Sequence, residues 1–135
     1  MDALKISRSL VNAILTQAQN TPNAEICGLI AGKNGTPSRC YPVANIANDP
    51  TIRYQMSPEG QINALRQIRE SGETLIAIYH SHPNATAQPS ATDIAEAQYP
   101  EAAYLIVSLN TQGVLEMAAF QIKDGQTATI ALELE

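Results

Sequence analysis

The chain has 135 residues, 44% of them hydrophobic and 16% charged, which fits a single soluble globular domain over 1–135 and excludes a disordered segment. Eight Lys and Arg against 13 Asp and Glu give a formal charge of −5; without a cationic cluster to displace phosphate counterions, nucleic-acid and anionic-membrane partners are not expected. No apolar run approaches the roughly 20 residues of a membrane span, and the opening MDALKISRSL lacks the uninterrupted apolar core of a signal peptide, so the cytosol is the expected compartment.

Leu4–Ile6 reads as a short strand. From Ser7 to about Asn20, Leu10, Val11, Ile14, Leu15 and Ala18 recur at helical spacing and predict a helix packed by one face. Glu25–Gly32 (EICGLIAG) is almost entirely apolar after its glutamate, as a strand buried on both faces would be. Asn34-Gly35 then predicts a tight turn. Strands are expected at Pro37–Val43 and Ile52–Ser57, on either side of the loop NIANDP. Ser57-Pro58 reads as an N-cap followed by Pro at the first helical position, opening a helix through Ile62, Leu65 and Ile68 that stops near Gly72.

Thr74–His80 (TLIAIYH) is a further buried strand. A short helix is predicted from Ser90, then strands at Ala103–Leu109, Val114–Lys123 and Thr127–Leu134. The closing Leu134-Glu135 reads either as the end of that strand or as a pair left by cloning. Strands outnumber helices and many neighbours look like hairpins, so the class is α/β of the α+β type, with a mixed, largely antiparallel sheet flanked by helices. The two cysteines, Cys27 and Cys40, flank the turn, which would bring them close on paired strands. Free thiols are expected in a cytosolic protein, and their spacing offers no CxxC redox or zinc motif.

The chemistry concentrates in HSHPNATAQPSATD, from His80 to Asp93, which holds both histidines of the chain. Side chains at i and i+2 of an extended segment share a face, so His80 and His82 point the same way. Zinc takes imidazole nitrogens at about 2.0–2.1 Å, and catalytic sites commonly use three protein ligands and a water. Pro83 ends the strand. Ser90 and Asp93 stand at N-cap and N3 of the predicted helix, a capping pattern that also aims a carboxylate back at the loop. The plain alternatives are a core histidine beside a solvent-facing one, and a glutamate at Glu25 that merely caps a strand edge.

His-Ser-His-Pro, the six residues Asn84–Pro89, then Ser90-x-x-Asp93, with Glu25 on an earlier strand, resembles the JAMM motif of MPN-type zinc metallopeptidases in its compact prokaryotic form. The order of elements over nearly the whole chain is compatible with that fold, a cytidine-deaminase-like three-layer arrangement. The resemblance implies one Zn2+ per chain held by His80, His82 and Asp93, with water in the fourth position. It makes Glu25 the general base and Ser90 the donor to the oxyanion, a hydroxyl then expected to be divided between that task and the helix cap. Ser81 should face away as a structural hydroxyl. Cys27 should share the side of Glu25 as a buried small hydrophobe and not as a ligand.

The implied activity is hydrolysis of the amide bond after the C-terminal Gly-Gly of a ubiquitin-like protein. At this length the implied partner is a small sulfur-carrier protein. Two other readings of the same residues are a metal-free MPN scaffold module and a metal-dependent hydrolase of small peptides. Two histidines and an aspartate are also a donor set that other divalent metals accept.

Overall fold

The computed structural model describes residues 1–110 and 116–135. In chain order its elements are β1 (Ala3–Ile6), α1 (Arg8–Asn20), β2 (Cys27–Lys33), β3 (Thr36–Val43), α2 (Pro58–Glu70), β4 (Thr74–His82), α3 (Ala91–Glu96), β5 (Ala103–Ser108), β6 (Glu116–Lys123) and β7 (Gln126–Leu134). The strands form one sheet in the order β1-β7-β6-β5-β4-β2-β3. Pairing is parallel between β1 and β7 and between β4 and β5, and antiparallel elsewhere. The sheet curls until its edge strands β1 and β3 approach one another. This is the mixed, largely antiparallel sheet flanked by helices that the strand pattern predicts.

The alternation of side chains along each strand divides the core in two. Ile30, Tyr79, Leu105 and Val107 pack with α1 through Leu10, Val11, Ile14 and Ala18. Leu29, Ile78, Tyr104 and Ile106 face the other way, toward Ala64 and Ile68 of α2 and Ile94 of α3. Burial on both faces explains why β2, β4 and β5 read as unbroken apolar runs.

All three helices start where a serine hydroxyl accepts a backbone N–H: Ser7 from Leu10, Ser57 from Gly60 and Ser90 from Asp93. Asn34 and Gly35 both take positive φ, so the β2–β3 hairpin closes over two residues, and Gly72 takes positive φ just beyond α2. No helix among the described residues is long and apolar enough to cross a membrane.

Three expectations change. Ile52–Ser57 is not a strand; only Met56 bridges to Asn45. The Asn45 side chain takes over the ladder's work, accepting from Gln55 N at 2.9 Å and donating to the Arg53 carbonyl at 3.1 Å, and Ile52 is left 66% exposed. The two cysteines do not meet, because Cys27 pairs with Val43 and Cys40 with Ile30, an odd offset that puts them on opposite faces; both are free thiols. Strand β4 runs on to His82, two residues beyond its predicted end. Val114 and Leu115, the first two residues of the strand predicted at Val114–Lys123, lie outside the described residues. Leu134 pairs with Ile6, and Glu135 N donates to the Ile6 carbonyl at 3.0 Å.

Candidate metal centre

Strand β4 lies between β2 and β5, and its last two turns of the pleat place His80 and His82 on the face shared with α2 and α3. Asp93 reaches them from the first turn of α3. Its position is fixed by a capping box, in which Asp93 N donates to Ser90 Oγ at 3.0 Å and Ser90 N donates to Asp93 Oδ2 at 2.9 Å. Glu25 precedes β2, whose first residue Cys27 pairs with His80. All four side chains are buried, and one donor atom from each lies within 4.8 Å of the others.

The three nearest donors make an almost equilateral triangle. His80 Nε2 and His82 Nε2 are 3.1 Å apart, and each is 3.1 Å from Asp93 Oδ2. His82 Nδ1–H donates to the Thr86 carbonyl at 2.7 Å, which fixes the tautomer and leaves its Nε2 lone pair aimed at the triangle. Three lone-pair atoms converging in a buried place repel one another unless a cation sits among them. Donors at 2.0–2.1 Å from a tetrahedral ion stand about 3.4 Å apart, close to the observed edges. Glu25 Oε1 and His80 Nδ1 are buried without a hydrogen-bond partner. The residues fit a metal ion.

The electrostatics agree. Burial alone would raise the Asp93 carboxyl, but bonds to His80, His82 and the Ser90 backbone outweigh it and hold the group well below the usual carboxylate range. Burial lowers the His80 imidazole, whereas the bonds of His82 to Asp93 and Thr86 overcome its burial and raise it. Burial pushes the Glu25 carboxyl up to about 8, with Asp93 adding to the rise and His82 opposing it.

Every residue singled out from the sequence is at or beside this centre. Ser90 stands on its rim, and its cap uses a lone pair while the O–H proton stays available, so the expected division of one hydroxyl does not arise. Ser81 points to the opposite face, as expected, and accepts from Ile26 N at 2.9 Å, tying the approach to β2 onto the end of β4. Cys27 faces the side of Glu25; burial first, then Glu25, pushes its thiol up to about 12.

Sequence reasoning missed three contributors. Tyr54 stacks on His80 with ring centroids 4.5 Å apart and planes at 30°. The Thr86 carbonyl fixes His82 through backbone, which carries no residue signature. Asn45 Nδ2 donates to the Glu25 carbonyl at 3.0 Å, and Glu25 N donates to the Pro50 carbonyl at 2.8 Å, so the two ends of the loop NIANDP hold Glu25.

Residues 7–123 match the family model described as prokaryotic homologs of the JAB domain. The chain is 35% identical over 111 residues to a desampylase of Haloferax volcanii, covering 78% of this chain and 80% of that protein. It is 35% identical over 124 residues to a CysO-cysteine peptidase of Mycobacterium tuberculosis, covering 90% of this chain and 84% of that one. A solution structure of a protein from Desulfitobacterium hafniense superposes with a TM-score of 0.86 at 28% identity, covering 97% of this chain and 92% of that one.

Proposed function

The chain belongs to the prokaryotic JAB-domain family, and from that premise we propose that it is a zinc-dependent peptidase or isopeptidase, cleaving the amide bond after the C-terminal Gly-Gly of a ubiquitin-like sulfur-carrier protein. The names of its relatives, a desampylase and a CysO-cysteine peptidase, support this class of substrate. The observation that carries the reading is the buried triangle of His80 Nε2, His82 Nε2 and Asp93 Oδ2 with the unpartnered Glu25 carboxylate beside it.

His80, His82 and Asp93 would hold the ion. Zinc bound there supplies a Lewis acid that makes water a nucleophile near neutral pH. Glu25 takes a proton from the attacking water and delivers it to the leaving amine, so the amide C–N bond breaks to a carboxylate and a free amine. Its burial and a neighbouring dication act in opposite senses on its pKa, which together favour proton exchange near working pH. The Ser90 hydroxyl donates to the carbonyl oxygen as negative charge develops there. Glycines before the scissile bond let the substrate backbone approach without side-chain clash.

The test is a carrier domain ending in Gly-Gly and extended by a short peptide, incubated with chain purified without chelator. Mass spectrometry should find a cut after the second glycine, abolished by chelation and restored by one equivalent of zinc. An intact substrate with the zinc-loaded chain, or a cut indifferent to chelation, would sink the reading. A short peptide cleaved as well as the carrier fusion would favour the small-peptide hydrolase instead.

A further inference from the structure

The two histidines of the centre are oriented by different means. His82 Nδ1–H donates to the Thr86 carbonyl at 2.7 Å, the usual device by which a ligating imidazole is turned and held. His80 has no such bond. Its Nδ1 is without a hydrogen-bond partner among the described residues, although the side chain is completely buried. Its Nε2 is the atom that meets His82 Nε2 and Asp93 Oδ2, so with that lone pair aimed at the triangle the proton of the neutral ring lies on Nδ1 and finds no acceptor. The terminal torsion of histidine has a broad energy profile, and rotation about it would carry Nε2 out of the triangle. Something other than a hydrogen bond must hold the ring.

What His80 has instead is a second ring. Tyr54 stacks on it with centroids 4.5 Å apart and planes at 30°. Tyr54 belongs to no helix or strand, and the next residue back, Arg53, donates from Nη2 to Glu96 at 2.7 Å, which ties this stretch to α3, the helix that supplies Asp93. The stack can do both things expected of the missing bond. The face of the phenol ring blocks rotation of the imidazole. Its negative quadrupole also stabilises an imidazole made electron-poor by sharing its Nε2 lone pair with a cation. Neither effect needs the phenol hydroxyl.

We propose that Tyr54 is a positioning residue of the metal centre, its ring holding His80 in the ligating orientation in place of an Nδ1 hydrogen bond. This rests on the reading of the triangle as a metal site and is independent of which substrate is cut. Tyr54 is half-buried and lines an open cleft of about 510 Å³ that ends at Asp93, so trimming it enlarges a cleft instead of leaving a sealed cavity.

The test compares wild type with Tyr54→Phe, Tyr54→Leu and, as a stability control in the core on the opposite face of the sheet, Ile14→Val. Zinc dissociation constants are read by competition with a chromogenic chelator, ligand geometry by the visible absorption of the cobalt-loaded chain, and stability by thermal denaturation of the metal-free chain. Tyr54→Leu should weaken zinc binding about tenfold or more and shift the cobalt bands. Tyr54→Phe keeps the ring and should stay within about twofold of wild type, with the bands unchanged. Ile14→Val should lower the thermal midpoint and leave zinc affinity and cobalt bands as they are. Tyr54→Leu binding zinc as wild type does, or Tyr54→Phe losing as much affinity as Tyr54→Leu, would overturn the inference and leave the metal reading standing. So would an equal loss in Ile14→Val, which would reduce the role of Tyr54 to general stability. A wild-type chain that binds no zinc would overturn both.

Discussion

The two sides of the centre are built differently. His80 and His82 end a strand flanked on both sides within the sheet, and Asp93 is fixed by two reciprocal hydrogen bonds at the start of α3. Glu25 lies outside any strand and depends on a loop: the Asn45 amide, the Pro50 carbonyl and the Ser81–Ile26 bond hold its backbone, and nothing holds its Oε1. The ligand side is rigid by construction, which suits a metal whose affinity depends on preset geometry. In the proposed mechanism the Glu25 side leaves Oε1 without a hydrogen-bond partner, ready to serve an incoming water and a departing amine. Metal binding and turnover are thus separable by mutation.

The sharpest break between them is the pair His82→Ala and Glu25→Gln. The first should lose the ion, read as zinc per chain after dialysis. The second should keep about one zinc per chain while kcat falls about 10²–10⁴-fold, the usual worth of a general acid–base. Next comes Ser90→Ala, which touches both sides. It should lower kcat about 10²-fold or more by removing the oxyanion donor, and destabilise the fold by about 1 kcal/mol through the lost cap, seen in thermal denaturation.

A pH series on chelated protein sharpens the comparison further. The Glu25 carboxyl is raised from 4.5 to about 8 by burial, so the folded chain holds that proton more tightly than the unfolded chain. The resulting stabilisation is full below the unfolded value and lost as pH rises through about 8, an effect of at most a few kcal/mol. Denaturant midpoints between pH 5 and 8 should therefore fall more steeply for wild type than for Glu25→Gln. His80 and His82 titrate in both proteins, so the difference reports Glu25 together with its interaction with His82. Asp93 contributes in the opposite sense, losing its stabilisation only in acid. The smallest effect is Asn45→Ala, which loosens the base side alone. It should cost about 1–3 kcal/mol and reduce kcat with zinc content unchanged; a loss of zinc instead would mean the two sides are not independent.

The ligand side was readable because it is local. Two histidines at i, i+2, a proline stop and a capping box lie within 14 consecutive residues, from His80 to Asp93, and each element has a fixed geometric meaning. The serine caps at Ser57 and Ser90 were legible for the same reason, whereas the sequence marked Ser7 only as the start of a helix. The base side was not, beyond Glu25 itself. Ile52-Arg53-Tyr54-Gln55 looks strand-like by residue type, and no local signal says that Asn45 satisfies its backbone from eight and ten residues away. The stacking of Tyr54 on His80 followed that error into invisibility. Cysteine proximity failed on register, which a turn sets but composition does not reveal.

The parallel ladder between β1 and β7 joins Ala3 to Ala131, whereas the β2–β3 hairpin closes over Asn34 and Gly35. Loop-closure entropy and contact order make the long pairing the slow one in kinetic terms, because it waits for almost the whole chain to be present. The strands that carry the centre, β2, β4 and β5, neighbour one another without it. During synthesis the part of the sheet that carries His80 and His82 therefore has a route to assembly that does not depend on β7.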